Sequence, residues 1–285
     1  MDRLGNDYSQ RGYLKEDFRL FHLKDQNKDA FSLHYHTFHK IVFFLSGQVT
    51  YLIEGKYYKL KPWDILLVAK NQIHMPIIDP HEPYERMVLW VNDAFLQQDK
   101  EEDNNLLSCF HIASQKKNIL RLYETDLHAT KHRLYALKDA LSDQAFGHYT
   151  MNKCLFLQLI VWLNRYYLGA DAPIADVTYD ERIETLIHYI NHHLDEPLRI
   201  DQLADTVYLN KYYLMHLFKE QIGYPIHRYI LEKRLIRASS LVREGVMLSE
   251  VCDRCGFGDY SSFVRAFKKK FGVSPKRYAK SMPIS

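Results

Sequence analysis

Two stretches near the end of this 285-residue chain, Leu214–Tyr229 (LMHLFKEQIGYPIHRY) and Phe263–Tyr278 (FVRAFKKKFGVSPKRY), are one segment written twice. A constant offset of 49 residues superimposes Phe218 on Phe267, Lys219 on Lys268, Gly223 on Gly272, Arg228 on Arg277 and Tyr229 on Tyr278. Two copies are too few for a solenoid, so the duplication points to a pair of linked modules.

Each copy reads as a helix-turn-helix. In the first, Ile200, Leu203, Ala204 and Val207 are spaced for one face of a short helix. Asn210 then caps a second helix whose inward residues are expected to be Tyr213, Leu214, Leu217, Phe218 and Ile222, and Gly223 stops it. In the second copy Leu248, Val251, Cys252 and Cys255 form the first helical face and Gly256-Phe257-Gly258 turns the chain. Asp259 caps a helix carrying Phe263, Val264, Phe267 and Phe271 inward. The modules are expected at about 200–221 and 248–270. Small residues at Ala204 and Cys252 allow the helices to cross closely. Between the modules, residues 226–244 hold Tyr229, Ile230, Arg234, Leu235, Ala238 and Leu241 in the pattern of one long helix.

The stretch Leu248–Tyr278, LSEVCDRCGFGDYSSFVRAFKKKFGVSPKRY, resembles the C-terminal signature of AraC/XylS-type bacterial transcription regulators, with its GF, F-x-x-x-FKK, G-x-x-P and terminal Arg-Tyr in place. The first copy fits too, and the linking helix keeps the family's Arg234 and Ala238. The resemblance runs from about Tyr179 to Lys280. Cys252 stands where the family usually has alanine, a change of similar size. The resemblance implies double-stranded promoter DNA as the partner, and RNA polymerase as a second one if the protein activates. It maps base contacts onto Tyr212, Met215 and His216, and onto Tyr260, Ser261, Ser262 and Arg265.

Physical chemistry sorts these residues further. Base reading belongs to the N-terminal turns of helices that enter the major groove. A guanidinium at Arg265 can grip guanine O6 and N7 bidentately. Tyr212 and Met215 suit thymine methyls or sugars, the plainer alternative for Met215 being an ordinary surface residue. Lys211, Lys219, Lys268 and Lys269 suit phosphates. Charge agrees: residues 1–179 carry 21 Lys+Arg against 22 Asp+Glu, whereas residues 206–285 carry 15 against 6. An excess of positive charge on the repeat is what counterion release from DNA requires.

The front of the chain reads as β structure. Short runs at residues 31–35, 41–45, 49–53, 57–60, 65–68, 76–78 and 86–91 are separated by Ser46-Gly47, Glu54-Gly55-Lys56 and Pro62-Trp63-Asp64, the pattern of a small antiparallel barrel or jelly roll. The order His34-x-His36, Gly47, Pro62-x-Asp64 and His74 is similar to the cupin barrel, which many AraC-type regulators carry as a sensor. Catalytic cupins hold a metal with two histidines and a glutamate on the first motif and a third histidine on the second. Here His34, His36 and His74 match, but Lys40 occupies the glutamate position, with His39 as a spare imidazole. An ammonium is no ligand and repels a divalent ion. The effector site is therefore expected at His34, His36, Lys40 and His74, which can hydrogen-bond a polar small molecule. The alternative is that the histidines are structural. No metal, cofactor or catalytic residue is expected, and among effectors the family resemblance favours a carbohydrate.

From Lys116 the pattern turns helical. Leu120, Tyr123 and Leu127, then Leu134, Leu137 and Leu141, suggest two stretches, and 151–168 a third with Leu155, Leu159, Trp162, Leu163 and Tyr166 on one side. Their apolar stripe exceeds what covering one barrel needs, which points to a homodimer. Gly169-Ala170-Asp171-Ala172-Pro173 then breaks the pattern. The expected organisation is α+β: a cupin-like sensing and dimerisation domain over 1–168, a linker over 169–179, and an all-α DNA-binding domain over 180–285.

Composition, 47% hydrophobic and 26% charged, is ordinary for a soluble protein, and the start MDRLGNDYSQ has no apolar signal stretch, so a cytoplasmic protein with no membrane partner is expected. Cys109, Cys154, Cys252 and Cys255 offer one C-x-x-C with no second pair to complete a zinc site, and the last two fall on a buried helical face. No phosphate-binding glycine loop, G-x-S-x-G elbow or H-E-x-x-H is present. The sequence thus reads as a transcription regulator, not an enzyme, whose barrel senses a small molecule. The alternative is a cupin-type metal-dependent enzyme fused to a DNA-binding domain.

Overall fold

The computed structural model describes residues 9–10, 14–26, 31, 33–97, 105–115, 117–169 and 176–281, and the chain divides into two compact units, Met1–Thr178 and Tyr179–Ser285. The first unit is built on two sheets. One has the order β1 (Ser9–Gln10), β3 (His34–Tyr35), β8 (His74–Ile78), β5 (Val49–Ile53), β6 (Lys56–Lys59), β11 (Asp176–Thr178). The other runs β10 (Ile119–Leu120), β7 (Ile65–Val68), β4 (His39–Ser46), β9 (Tyr84–Val91), β2 (Phe18–Asp25). Neighbours are antiparallel except β1 and β3. Among the described residues no strand pairing joins the two sheets, so of the expected barrel or jelly roll the unit shows two facing sheets without closure.

The near-continuous apolar runs of the second sheet have a physical reason: it is buried on both faces. Val42, Phe44, Leu66, Val68 and Val88 pack toward Val49, Tyr51, Ile53 and Tyr58 of the first sheet. Ile41, Phe43, Ile65, Leu67, Met87 and Leu89 face the other way, onto α1 (Asp93–Leu96), α2 (Ser108–Gln115), α3 (Glu124–Ala140) and α4 (His148–Gly169). Turn chemistry fixes the register: Glu54 and Gly55, with φ of 45° and 80°, make the two-residue hairpin that sets Ile53 opposite Lys56.

Several boundaries differ from the sequence reading. Leu120, expected in a helix, pairs with Ile65 as an edge strand, and the helix begins only at Glu124. The β2 strand and helix α2 carry no pattern that announced them. Residues 176–178, expected in the linker, pair with β6, where Val177 packs against the inter-sheet core. The rest of that linker, residues 170–175, lies outside the described residues.

The second unit comprises α5 (Glu181–His192), α6 (Ile200–Thr206), α7 (Lys211–Ile222), α8 (Ile226–Arg243), α9 (Leu248–Arg254), α10 (Tyr260–Phe271) and α11 (Pro275–Ser281). The repeat is visible in its caps. Asn210 accepts from the Tyr212 N–H at the start of α7, and Asp259 from the Ser262 N–H at the start of α10. Gly223 and Gly272 close the same helices in the left-handed conformation. Phe218 and Phe267 are both fully buried, as are Ala204 and Cys252, while Cys255 sits in the core with its thiol pushed up to about 11 by burial. Tyr213 departs from expectation: it is 48% exposed, because Leu214, Leu217 and Phe218 already fill the inward face of α7.

The junction between the modules is close. Arg234 on α8 donates to the carbonyls of Leu194 and Glu196, at 2.9 and 2.6 Å. Gly256 lies against both: a Cβ there would stand 2.2 Å from the Leu194 oxygen and 2.7 Å from the Arg234 guanidinium, at a φ of +67°. Gly245 has φ +80° but open space around it. Gly256→Ala is therefore expected to destabilise the second unit by about 3 kcal/mol or more, against about 1 kcal/mol for Gly245→Ala, where only backbone strain is added. Urea unfolding of the two variants checks this, and equal midpoints would show that the junction yields.

Candidate nucleic-acid interface and effector cavity

Recognition residues are those the core leaves over. On α7, Tyr212 is 69% exposed, and Met215, His216 and Lys219 also face solvent. Lys211 is half-buried, 3.1 Å from Asp201 and near the Tyr212 ring. On α10, Tyr260, Ser261, Arg265, Lys268 and Lys269 are exposed, whereas Ser262 is half-buried. Arg265 donates 3.2 Å to the Ser262 hydroxyl, which holds the guanidinium along the first turns of the helix. The Asp259 carboxyl lies below its usual range, first because the Ser262 side chain and backbone hydrogen-bond to it, so the cap is charged at neutral pH. Each helix thus brings its predicted residues onto its own outer surface.

Lys270 is the contrast. Its ammonium is buried and paired with Glu232 of α8, both side chains 6% exposed, so it joins α10 to the linking helix and is withdrawn from any phosphate. One exposed residue escaped the sequence reading: Tyr208, 96% exposed at φ 55° in the turn between α6 and α7. Lying between Val207 and Leu209, it carries no local signal of a left-handed turn.

The second candidate site is a cavity of about 360 Å³ between the two sheets of the first unit. Register explains its lining. Lys40 lies opposite Trp90, Phe21 opposite Val88 and Leu23 opposite Arg86, so these side chains share the inner face of one sheet, while Tyr51 and Pro76, opposite each other, supply the other wall. His34 and His36 also line it. His74 is paired with His34 in register, and the ligand nitrogens of His34, His36 and His74 lie within 4.8 Å of one another, all three residues buried.

Of the four predicted effector residues, His34, His36 and Lys40 line the cavity, and His74 is fully buried beside His34 and His36. His74 Nδ1 lies 2.9 Å from the Gln72 carbonyl, which can only accept, so the proton is on Nδ1 and Nε2 presents a lone pair. Burial, followed by the neighbouring His34, Lys40 and His36, holds the His74 imidazole well below its usual range, so it is neutral. Lys40 Nζ donates 3.0 Å to the Tyr51 hydroxyl. His39 is not a spare ligand. Strand alternation turns it to the helical face, where Nε2 lies 2.8 Å from Asp93 and Nδ1 accepts from the Lys70 N–H. Burial alone would raise the Asp93 carboxyl, but hydrogen bonds from His39 and Lys70 hold it at about 2.

The metal that the cupin resemblance would imply does not fit this donor set. Three imidazoles meet the count for an open zinc site, but the position of the carboxylate that would neutralise the ion holds an ammonium. The charge of Lys40 already acts on His74, and a dication beside it would add repulsion at close range. The sequence reading missed Tyr51 and Arg86 as cavity residues. Tyr51 becomes a neighbour of Lys40 only where the two sheets face each other, and Arg86 stands at the start of an apolar run that reads as core.

Comparison with known proteins covers both units. Residues 20–160 match the model for an AraC-like ligand binding domain, and residues 203–281 that for a helix-turn-helix domain. The HTH-type transcriptional activator RhaS of Klebsiella pneumoniae (strain 342) is 24% identical over 258 residues, 87% of each chain. The protein named "Probable transcriptional regulator LumQ" of Photobacterium leiognathi is 38% identical over 101 residues, 34% of this chain and 41% of that one. Among solved structures, the C-terminal domain of AraT, a response regulator from Geobacillus stearothermophilus, aligns with a TM-score of 0.36 at 25% identity, covering 37% of this chain and 89% of that chain. With a ligand-binding model matched by its first unit and a helix-turn-helix model by its second, the chain belongs to the AraC/XylS-type family of transcription regulators.

Proposed function

We propose that this chain is a one-component regulator that reads promoter DNA with α7 and α10 and is controlled by a small molecule in the cavity of its first unit. The observation that carries the reading is the duplicated helix: two helices that each have a side-chain cap, a buried phenylalanine and a closing glycine at matching positions, each leaving its first turns exposed. Tyr212, Met215 and His216 on one, and Tyr260, Ser261, Ser262 and Arg265 on the other, read bases. Lys211, Lys219, Lys268 and Lys269 hold phosphates. Two such helices on one chain suit successive major grooves about 34 Å apart, so a single chain covers roughly two turns without needing a palindrome.

The effector meets His34, His36, Lys40 and His74. The relative RhaS is named a transcriptional activator, which favours RNA polymerase as a further partner, and a promoter-DNA partner favours the cytoplasm. Among the described residues no helix is long and apolar enough to cross a membrane. The enzyme alternative finds no support in the relatives, which are transcription regulators.

Arg265→Ala is expected to cost about 1–3 kcal/mol on the natural site and to relax preference at one base pair. Lys268→Ala or Lys269→Ala should weaken all sequences alike and lower the salt slope by roughly 0.9 per phosphate lost. Titrations against the site and its single-base variants at two salt concentrations separate the roles. Uniform weakening by Arg265→Ala with a reduced salt slope would make it a phosphate clamp and remove α10 from base reading.

The first unit is proposed to dimerise through α3 and α4, which leave Tyr135, Tyr149, Met151 and Leu168 exposed. Sedimentation of residues 1–178 at tens of micromolar is expected to show a dimer, and a monomer would count against it.

A further inference from the structure

The cavity in the first unit, taken as the effector site on the reading above, has an electrostatic imbalance. Among the described residues, its lining includes Lys40 and Arg86 and no aspartate, glutamate, asparagine or glutamine. Arg86 is compensated: Nη1 stands 2.9 Å from Asp25 and donates 3.1 Å to the Tyr84 carbonyl, and the guanidinium lies 4.0 Å from the centre of the Tyr84 ring. Lys40 is not. It is 9% exposed, and its contacts among the described residues are the Tyr51 hydroxyl at 3.0 Å and the face of the same ring at 5.7 Å, both neutral. A buried ammonium without a counter-charge is costly, and a neutral phenol recovers little of what hydration gave it.

Two ligand classes fit this site poorly. An amine would meet like charge. A polyol needs acceptors for its hydroxyls, and the described residues of the lining include none of the amide and carboxylate side chains that usually supply them. Apart from His34 and His36, the remaining walls are largely apolar, with Phe21 edge-on to Trp90 at 4.8 Å and Val88 beside them. A volume near 360 Å³ is at the small end for ligand pockets.

We propose that the effector is a small organic acid. Its carboxylate accepts hydrogen bonds from Lys40 Nζ and from the Tyr51 hydroxyl, whose own proton is free to donate once its oxygen accepts from Lys40. Its apolar body lies against Phe21, Val88 and Trp90. The ligand thus supplies a counter-charge that no described residue gives Lys40, and a charge-assisted pair is the strong kind of hydrogen bond. The same Lys40 charge opposes the rival occupant, a divalent metal on His34, His36 and His74.

The test is thermal unfolding of the full chain with millimolar hexanoate, phenylacetate or inorganic phosphate, each organic acid set against its neutral amide. At least one organic acid is expected to raise the wild-type Tm by about 3 °C or more while its amide does not. Lys40→Met loses that shift and Lys40→Arg keeps it. Lys40→Met without ligand melts no lower than wild type, because it removes an unbalanced buried charge. The proposal is overturned by equal shifts for acid and amide, by no shift with either acid, by a shift with phosphate alone, or by a zinc shift abolished in His74→Ala. An unliganded Lys40→Met melting several degrees below wild type, with Lys40→Arg unaffected by acid, would overturn it equally. Wild-type binding to the DNA upstream of its own gene, measured alongside, separates the two readings. If it fails, the regulator reading falls; if it holds while the acids fail, only the acid assignment falls.

Discussion

The first unit depends on one constraint: strand β4 is buried on both faces. A strand in that position must send alternate residues into two different cores, and this one sends Val42 and Phe44 to the inter-sheet core and Ile41 and Phe43 to the helical layer. The polar pair at its start is divided by the same alternation. His39 goes to the helical side, where Asp93 and the Lys70 N–H satisfy both ring nitrogens, so that position is closed. Lys40 goes to the inter-sheet side and finds one phenol. Adjacent residues on one strand therefore meet different surroundings, a carboxylate and a backbone N–H on one side and a single phenol on the other.

The second unit solves a different problem, that of holding two small modules in a fixed relation. Neither module has enough apolar surface to be rigid alone, since each contributes only a short helix and a recognition helix. Polar interactions close the gap. Arg234 ties α8 to the carbonyls after α5, Gly256 lets the second module's turn approach that junction without a Cβ, and Lys270 meets Glu232 in a buried pair between α10 and α8. A buried ion pair is weak evidence of net stability, because desolvation opposes it. Its geometric effect is clearer: the pair joins the two helices through side chains that are each 6% exposed, so it ties α10 to α8.

What could be read from sequence follows from how local each signal is. The repeat was legible because its caps, closing glycines and buried phenylalanines lie within one turn of the backbone they control. His34, His36, Lys40 and His74 were legible as a set through family spacing. Tyr51 and Arg86 were not, since their neighbourhood is created by pairing between strands far apart in the chain. The edge strands β10 and β11 are too short to show alternation, so Leu120 read as helix and residues 176–178 as linker. Tyr213 was misplaced because apolar spacing on a short helix admits one residue too many on the inward face.

An effector can change DNA affinity only through a difference in how it binds two states of the protein, so the elements that touch it and the chain that leaves the sensor must be mechanically related. The register supplies a covalent version of that relation. Tyr51, the partner of Lys40, lies opposite Tyr58 on β6, and Tyr58 lies opposite Val177 on β11, the last strand before Tyr179 begins the second unit. The strand that accepts the Lys40 hydrogen bond is thus two pairings from the segment that enters the DNA-binding unit. A movement of Tyr51 on ligand binding would load backbone hydrogen bonds at a sheet edge, and β11 is held there by only three residues. Such an edge strand costs less to release than a strand paired on both sides, which gives binding energy in the cavity leverage on the chain beyond.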